Sequence, residues 1–133
     1  MLVVLARMPL NLTIERRPRL LLVRGTGDAR LADLLGVVDL ISQVTLREGT
    51  SRAVADLLGC DTQLSFTDHL QMGMHAYSRL QHLERGAAVV RASARRDTTE
   101  RVARKLGLPV RIFTALDEAE HWVGQDSAVN IGP

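Results

Sequence analysis

The chain has 133 residues, enough for one domain with its own core and no need of disulfide staples. Hydrophobic residues make up 46% and charged ones 24%, the balance of an ordinary globular domain, while aromatics at 3% are too few for platforms on which bases stack. Net charge is only +2, so bulk charge gives no reason to expect nucleic acid, and the single cysteine, Cys60, excludes an internal disulfide or a multi-cysteine metal site and suits a reducing cytoplasm.

The opening MLVVLARM holds an apolar run of five residues, too short for a membrane span or a signal-peptide core. The first predicted strand is Leu10 to Glu15, followed by the turn-like Arg16-Arg17-Pro18 and a second apolar run, Arg19 to Arg24, which together read as a hairpin. Gly25-Thr26-Gly27-Asp28 is expected to end that strand, with Asp28 capping the next helix. From Ala29 to about Thr45, Leu31, Leu34, Leu35, Val38, Ile41 and Val44 recur at helical spacing. Ala53 to Leu58 reads as a buried strand stopped by Gly59. A second helix is expected from the Ser65–Asp68 region to about Glu84, with Phe66, Leu70, Gly73, Met74, Tyr77 and Leu80 on one face. Ala87 to Arg91 is a short strand, Asp97 with Glu100 opens a helix that ends near Lys105, and Val110 to Phe113 is the last strand. Ala115 to Val123 closes the order as a helix, capped from Thr114 and Asp117.

Strands alternating with helices at these spacings predict right-handed crossovers and a parallel sheet, with the hairpin adding a mixed edge. The expected fold is a single α/β domain over residues 1–124, with a mixed, mostly parallel sheet of about five strands and about four helices. Residues 125–133 read as a disordered tail.

Several residue groups invite a chemical reading. Ser65, Thr67, Asp68 and His69 meet at the start of the second helix, where Ser65 and Asp68 have the spacing of a capping box. Arg91, Arg95, Arg96, Arg101 and Arg104, with Lys105, concentrate basic charge that could dock a phosphate or an acidic surface, although Asp97 and Glu100 lie among them. Sixteen of the seventeen basic residues are arginine, as a genome rich in G and C would give. Phe66, Met72, Met74 and Trp122 are candidates for the wall of an adaptable apolar pocket, against the plainer reading that they are core. Cys60 and His69 are nine residues apart and could meet on adjoining loops, but no third group orients them. His75 and His82 are two helical turns apart, too far to share one ion, and read as solvated. The glycines of Arg24 to Asp28 lack the third glycine of a dinucleotide loop and the Gly-Lys-Ser/Thr of a nucleotide loop. No metal ligand set and no cofactor signature stands out.

The order of elements and three local stretches resemble the anti-sigma-factor antagonist (STAS) superfamily, most closely its SpoIIAA-like or STAS/SEC14-like branch. AVADLLG at Ala53 to Gly59 looks like that family's central strand, LQMGMHAY at Leu70 to Tyr77 resembles the helix after it, and LPVRIFTALDEAEHWV at Leu108 to Val123 resembles its terminal strand and helix. In regulatory members a serine at the start of the second helix is phosphorylated. Aligned from Leu70, that serine falls on Asp68, with Thr67 before it; counted from Asp56, the loop here is two residues longer. The resemblance therefore implies a lost or permanently charged switch, with Ser65 and Thr67 the hydroxyls still placed to take phosphate. It implies a non-catalytic module that docks a protein partner through Ser65, Thr67, Asp68 and His69. Its SEC14-like side implies, as the alternative, a carrier of an apolar small molecule. The apolar start could further pair along a sheet edge of a second copy and give a homodimer.

Overall fold

The computed structural model describes residues 8–95 and 97–126, the side chain of Asp97 excepted. Its elements are β1 (Asn11–Arg16), β2 (Leu21–Ala29), α1 (Leu31–Glu48), β3 (Arg52–Thr62), α2 (Phe66–Arg79), β4 (Arg85–Val89), α3 (Asp97–Lys105), β5 (Val110–Phe113) and α4 (Leu116–Gly124). The sheet runs β1-β2-β3-β4-β5 in space as in sequence, with β1 antiparallel to β2 and every later pair parallel. This is the mixed, mostly parallel α/β architecture expected from the sequence.

Parallel neighbours laid down in one direction, each joined by a crossover of the same hand, must carry their helices on one face. Accordingly α1, α2 and α3 share a core with the inward-facing Leu21, Val23, Ala53, Ala55 and Leu57. The alternate residues Leu20, Leu22, Val54 and Val89 face the other way, as the period of two in a strand requires. Only α4, which connects no strands, is free to cover them, and it does so with Ala119 and Val123 fully buried.

Arginines fasten α4 in place. The last carbonyls of a helix lack intrahelical partners and carry partial negative charge. Arg85 donates to the Trp122 carbonyl at 2.6 Å, Arg52 to the Val123 carbonyl at 2.5 Å and also to that of Gln125, and Arg19 to the Gly124 carbonyl at 2.9 Å. Arg52 and Arg85 open β3 and β4, and Arg19 stands just before β2, so three adjacent strand starts converge on one helix end. Gln125 and Asp126, expected in the tail, are tied to Arg85 and Arg19; residues 127–133 lie outside the described residues.

Both longer strands outrun their predicted ends. β2 continues through Gly25-Thr26-Gly27-Asp28 to Ala29, and β3 passes Gly59 to reach Thr62, because the two pair with each other across a register shift between Arg24 and Thr26. The glycines are there for space: a Cβ on Gly59 would lie 2.7 Å from the Thr26 methyl, and one on Gly25 3.0 Å from the Cys60 sulfur. Asp28 is consequently no helix cap. Its carboxylate accepts the Met8 N–H at 3.0 Å, and Asp33 accepts the N–H of Arg30, the residue that precedes α1. Helix α2 stops at Arg79 rather than near Glu84, and β4 starts at Arg85. His75 and His82, read as solvated, are half-buried between α1 and the α2 segment, bonded to Asp39 at 2.8 Å and Thr45 at 2.7 Å.

Helices α2 and α3 touch at Gly73, where a Cβ would lie 2.8 Å from Val102 Cβ and 3.0 Å from the Thr99 carbonyl oxygen. Gly73→Ala gains about 1 kcal/mol in helix propensity but forces the helices apart at a cost of about 1–3 kcal/mol. The expected net is a loss of about 1 kcal/mol, a melting temperature roughly 4 °C lower. Gly36 lies in α1 with nothing within 4 Å of its Cβ position, so Gly36→Ala should raise stability by about 0.5–1 kcal/mol. Paired thermal melts check both; a stabilised Gly73→Ala would mean that α2 and α3 are not in close contact.

Candidate functional site

The carboxyl ends of the parallel strands and the amino ends of the helices that follow them share one rim of the sheet. Here β2 and β3 deliver Asp28 and Asp61 to that rim, and α1 and α2 begin beside them. Asp28, Arg30, Asp61, Gln63 and Asp68 line an open cleft of about 510 Å³. Among the described residues, three carboxylates and one guanidinium line it.

The four residues expected to form a cluster point in different directions. Ser65 is the N-cap of α2 and accepts the Asp68 N–H at 3.1 Å, while Asp68 returns the bond by accepting the Ser65 N–H at 2.9 Å. The capping box is therefore formed, and Asp68 lines the acidic cleft as well. His69 turns to α3 instead. The Thr99 hydroxyl gives its one hydrogen to the His69 carbonyl at 3.1 Å, so the ring at 3.0 Å from that oxygen donates from Nδ1. Thr67 points into solvent next to Phe66, which is 67% exposed.

The structure does not bring the four apolar-pocket candidates together. Phe66 and Met74, at 67% and 61% exposure, lie on the outer side of α2, and Met72 packs into the α1-side core. Trp122 belongs to the opposite face of the sheet, 5.9 Å from Phe113 and between Arg85 and Arg111 at 4.8 and 5.3 Å, an arrangement favourable for cation–π attraction. The spacing within α2 was read correctly as helical, but the face turned inward is set by Gly73, Ala76 and Leu80, the small residues letting α3 and the sheet approach. A separate apolar cavity of about 80 Å³ lies between α1, α2 and the sheet, with Met72, Ala76 and Leu83 in its lining. It is far smaller than the roughly 300–1,000 Å³ of small-molecule sites.

The basic group is partly assembled. Arg95, Arg101, Arg104 and Lys105 line one shallow cleft with Glu100, which pairs with Arg104 at 3.4 Å. Arg91 stands apart and donates to the Leu58 carbonyl, and Arg96 lies outside the described residues. Cys60 is 3% exposed and packed in the core, where burial pushes its thiol up, Arg91 drawing it partly back and Asp56 adding to the rise. An activated nucleophile needs the opposite shift. Among the described residues no cluster of His, Cys, Asp and Glu could hold a metal ion, and no helix is long and apolar enough to cross a membrane.

Asp28, Arg30, Asp61 and Gln63 were missed by sequence reasoning. The usable signal was their position just beyond apolar runs, hidden once Gly25 and Gly59 were taken as strand ends.

Two consequences are measurable. Ser65→Ala should cost about 1 kcal/mol in chemical denaturation, the usual value of a lost N-cap. Native Cys60 should react with a maleimide at pH 8 at least tenfold more slowly than the urea-unfolded chain. Because the folded thiol holds its proton longer than the unfolded one, its contribution is constant below the unfolded value of about 8.5 and stability falls as pH rises past it. Equal native and unfolded labelling rates would contradict this burial.

No family model and no curated protein matches the sequence. Among solved structures, the chain is similar to an anti-sigma factor antagonist from Mycobacterium paratuberculosis, with a TM-score of 0.62 at 16% identity over 88% of this chain and 96% of that one. It is also similar to an uncharacterized protein from Shewanella loihica PV-4 with a SpoIIAA-like fold, with a TM-score of 0.56 at 16% identity over 91% and 98% of the two chains. The fold is thus SpoIIAA-like.

Proposed function

We propose that this SpoIIAA-like chain is a non-catalytic regulatory module that docks a protein partner through the first turns of α2. The observation that carries the reading is the display of Phe66 and Met74 in solvent on that helix, beside the exposed Thr67. Apolar side chains held in solvent on one helix can anchor a partner that buries them. The acidic cleft containing Asp68 supplies fixed charge next to this apolar strip, and together they offer a partner both burial and orientation. The fold shared with an anti-sigma factor antagonist supports a regulatory role.

In this reading Asp68 serves as the permanent counterpart of a reversible charge, while Ser65 caps the helix. Thr67 is the hydroxyl most open to a kinase, and a phosphate on it would sit at a helix N-terminus. The carrier alternative has in its favour, among the described residues, two small apolar cavities of about 80 Å³ each that share Leu34, Leu57 and Met72 in their lining, still well below the roughly 300–1,000 Å³ of small-molecule sites.

The test is affinity capture from the protein's own host with the wild type, a Phe66→Ser/Thr67→Arg double variant and a Leu46→Ser control, Leu46 being 62% exposed on α1. We expect at least one protein retained by wild type and control, and lost at least tenfold by the double variant, whose melt stays within 2 °C of wild type, roughly what an exposed substitution costs. Equal retention by all three sinks the docking site, and an apolar molecule released on denaturation would favour the carrier.

A further inference from the structure

We propose that the chain pairs with a second copy of itself through the outer edge of β1, two β1 strands running antiparallel about a two-fold axis at Thr13. Strand β1 bonds to β2 along one side, and among the described residues no strand takes its other side. Unpaired edges of this kind are templates for another strand, and proteins usually blunt them. The opposite edge of this sheet is blunted. Strand β5 has four residues, and the outward N–H of Ile112 is taken by the Glu100 carboxylate of α3.

Among the described residues no comparable device protects β1. Its six residues keep continuous register with β2, without a bulge, and contain neither proline nor lysine. Its charges sit at one end and are already engaged, Arg16 with Glu48 of α1 and Glu15 with Arg17. Leu12 and Ile14 remain 36% exposed on the side of the sheet that carries α1. Val44 and Leu40, one and two turns before Glu48 on α1, are partly buried neighbours of the same core.

The strand is complementary to itself in one register. Directly opposed residues of an antiparallel pair share a face, so a two-fold axis can only match residues of like parity. Centred on Thr13, Leu12 meets the partner's Ile14 on the α1 side, twice by symmetry. Asn11 meets the partner's Glu15 on the other side, where an amide can donate to a carboxylate. No like charges oppose. Leu10, just before the strand, then meets the partner's Arg16 at the end of the ladder; centring on Ile14 would instead set Leu12 against the partner's Arg16 within it, and centring on Leu12 would draw Pro9, which has no N–H, into the ladder. Pairing about Thr13 would give a continuous ten-strand sheet with both α1 helices on one side of the seam.

Thr13→Cys tests the register in the full chain. Opposed Cα atoms in an antiparallel pair are about 4.5–5.5 Å apart, within disulfide reach, and buried Cys60 does not compete. Under mild oxidation this variant is expected to run as a covalent dimer on a non-reducing gel, and Leu46→Cys is not. Light scattering should give the wild type twice the 14.6 kDa of one chain and Ile14→Arg close to 14.6 kDa, with an unchanged circular dichroism spectrum. A wild type of 14.6 kDa up to several hundred micromolar overturns the proposal, including the case in which residues 1–7 cover the edge themselves. A dimer that survives Ile14→Arg and fails to cross-link through Thr13→Cys overturns it too. None of these readouts depends on the partner-docking face of α2.

Discussion

The parallel pairing of β2 with β3, and of each later strand with the one before it, governs the rest of the molecule. Because the strands are laid down in one direction, the three crossover helices crowd one face and leave the other bare. A bare sheet face exposing Leu20, Leu22, Val54 and Val89 would forfeit about 1.5–3 kcal/mol for each large side chain left wet. One short helix has to cover it. Nine residues are too few for α4 to be stable alone, so the covering depends on contacts at its end as much as on its buried face. The arginines at the strand starts supply those contacts, and in this way residues that composition alone attributes to codon bias acquire a structural task.

The same winding also shapes one rim of the molecule. It gathers the carboxyl ends of β2 and β3 and the amino ends of α1 and α2 there, bringing Asp28 from a distant segment beside Asp61 and Asp68. Helix α2 links this rim to the surface. Its inner side is committed to α3 through Gly73, Val102 and the His69–Thr99 bonds, and its outer side is left to Phe66, Thr67 and Met74. The acidic rim and the apolar strip are consequently held in a fixed relation by one rigid element.

Much of this was legible in the sequence because the elements are local. Apolar runs, helical spacing and cap patterns located the five strands and four α-helices of the described residues, though not the 3-10 turn at Ala92–Ala94, and the Ser65–Asp68 spacing announced the cap that the structure contains. The errors fall where pairing partners outweigh local composition. Gly25, Gly27 and Gly59 read as breaks, yet each lies within a strand whose neighbour needs the room of a missing side chain. Met72 and Met74 show a second limit: two residues apart on a helix they point about 200° apart, so both cannot line one wall. Which of them faces inward depends on where α3 lies, and no window of α2 contains that information. Likewise the resemblance could place Asp68 at the position of a modified serine, but the aspartates that surround it come from strand extensions hidden behind glycines.

The small void between α1, α2 and the sheet has a consequence for how the fold answers pressure. An apolar space of about 80 Å³ with almost no polar lining gives water nothing to bond to, so it is expected to stay dry in the folded chain and to vanish when the chain opens. The unfolded state then occupies less volume, by an amount on the order of tens of millilitres per mole. Compression therefore works against the α1–α2 layer, and the lining residues Met72, Ala76 and Leu83 mark where the protein yields to squeezing rather than to heat.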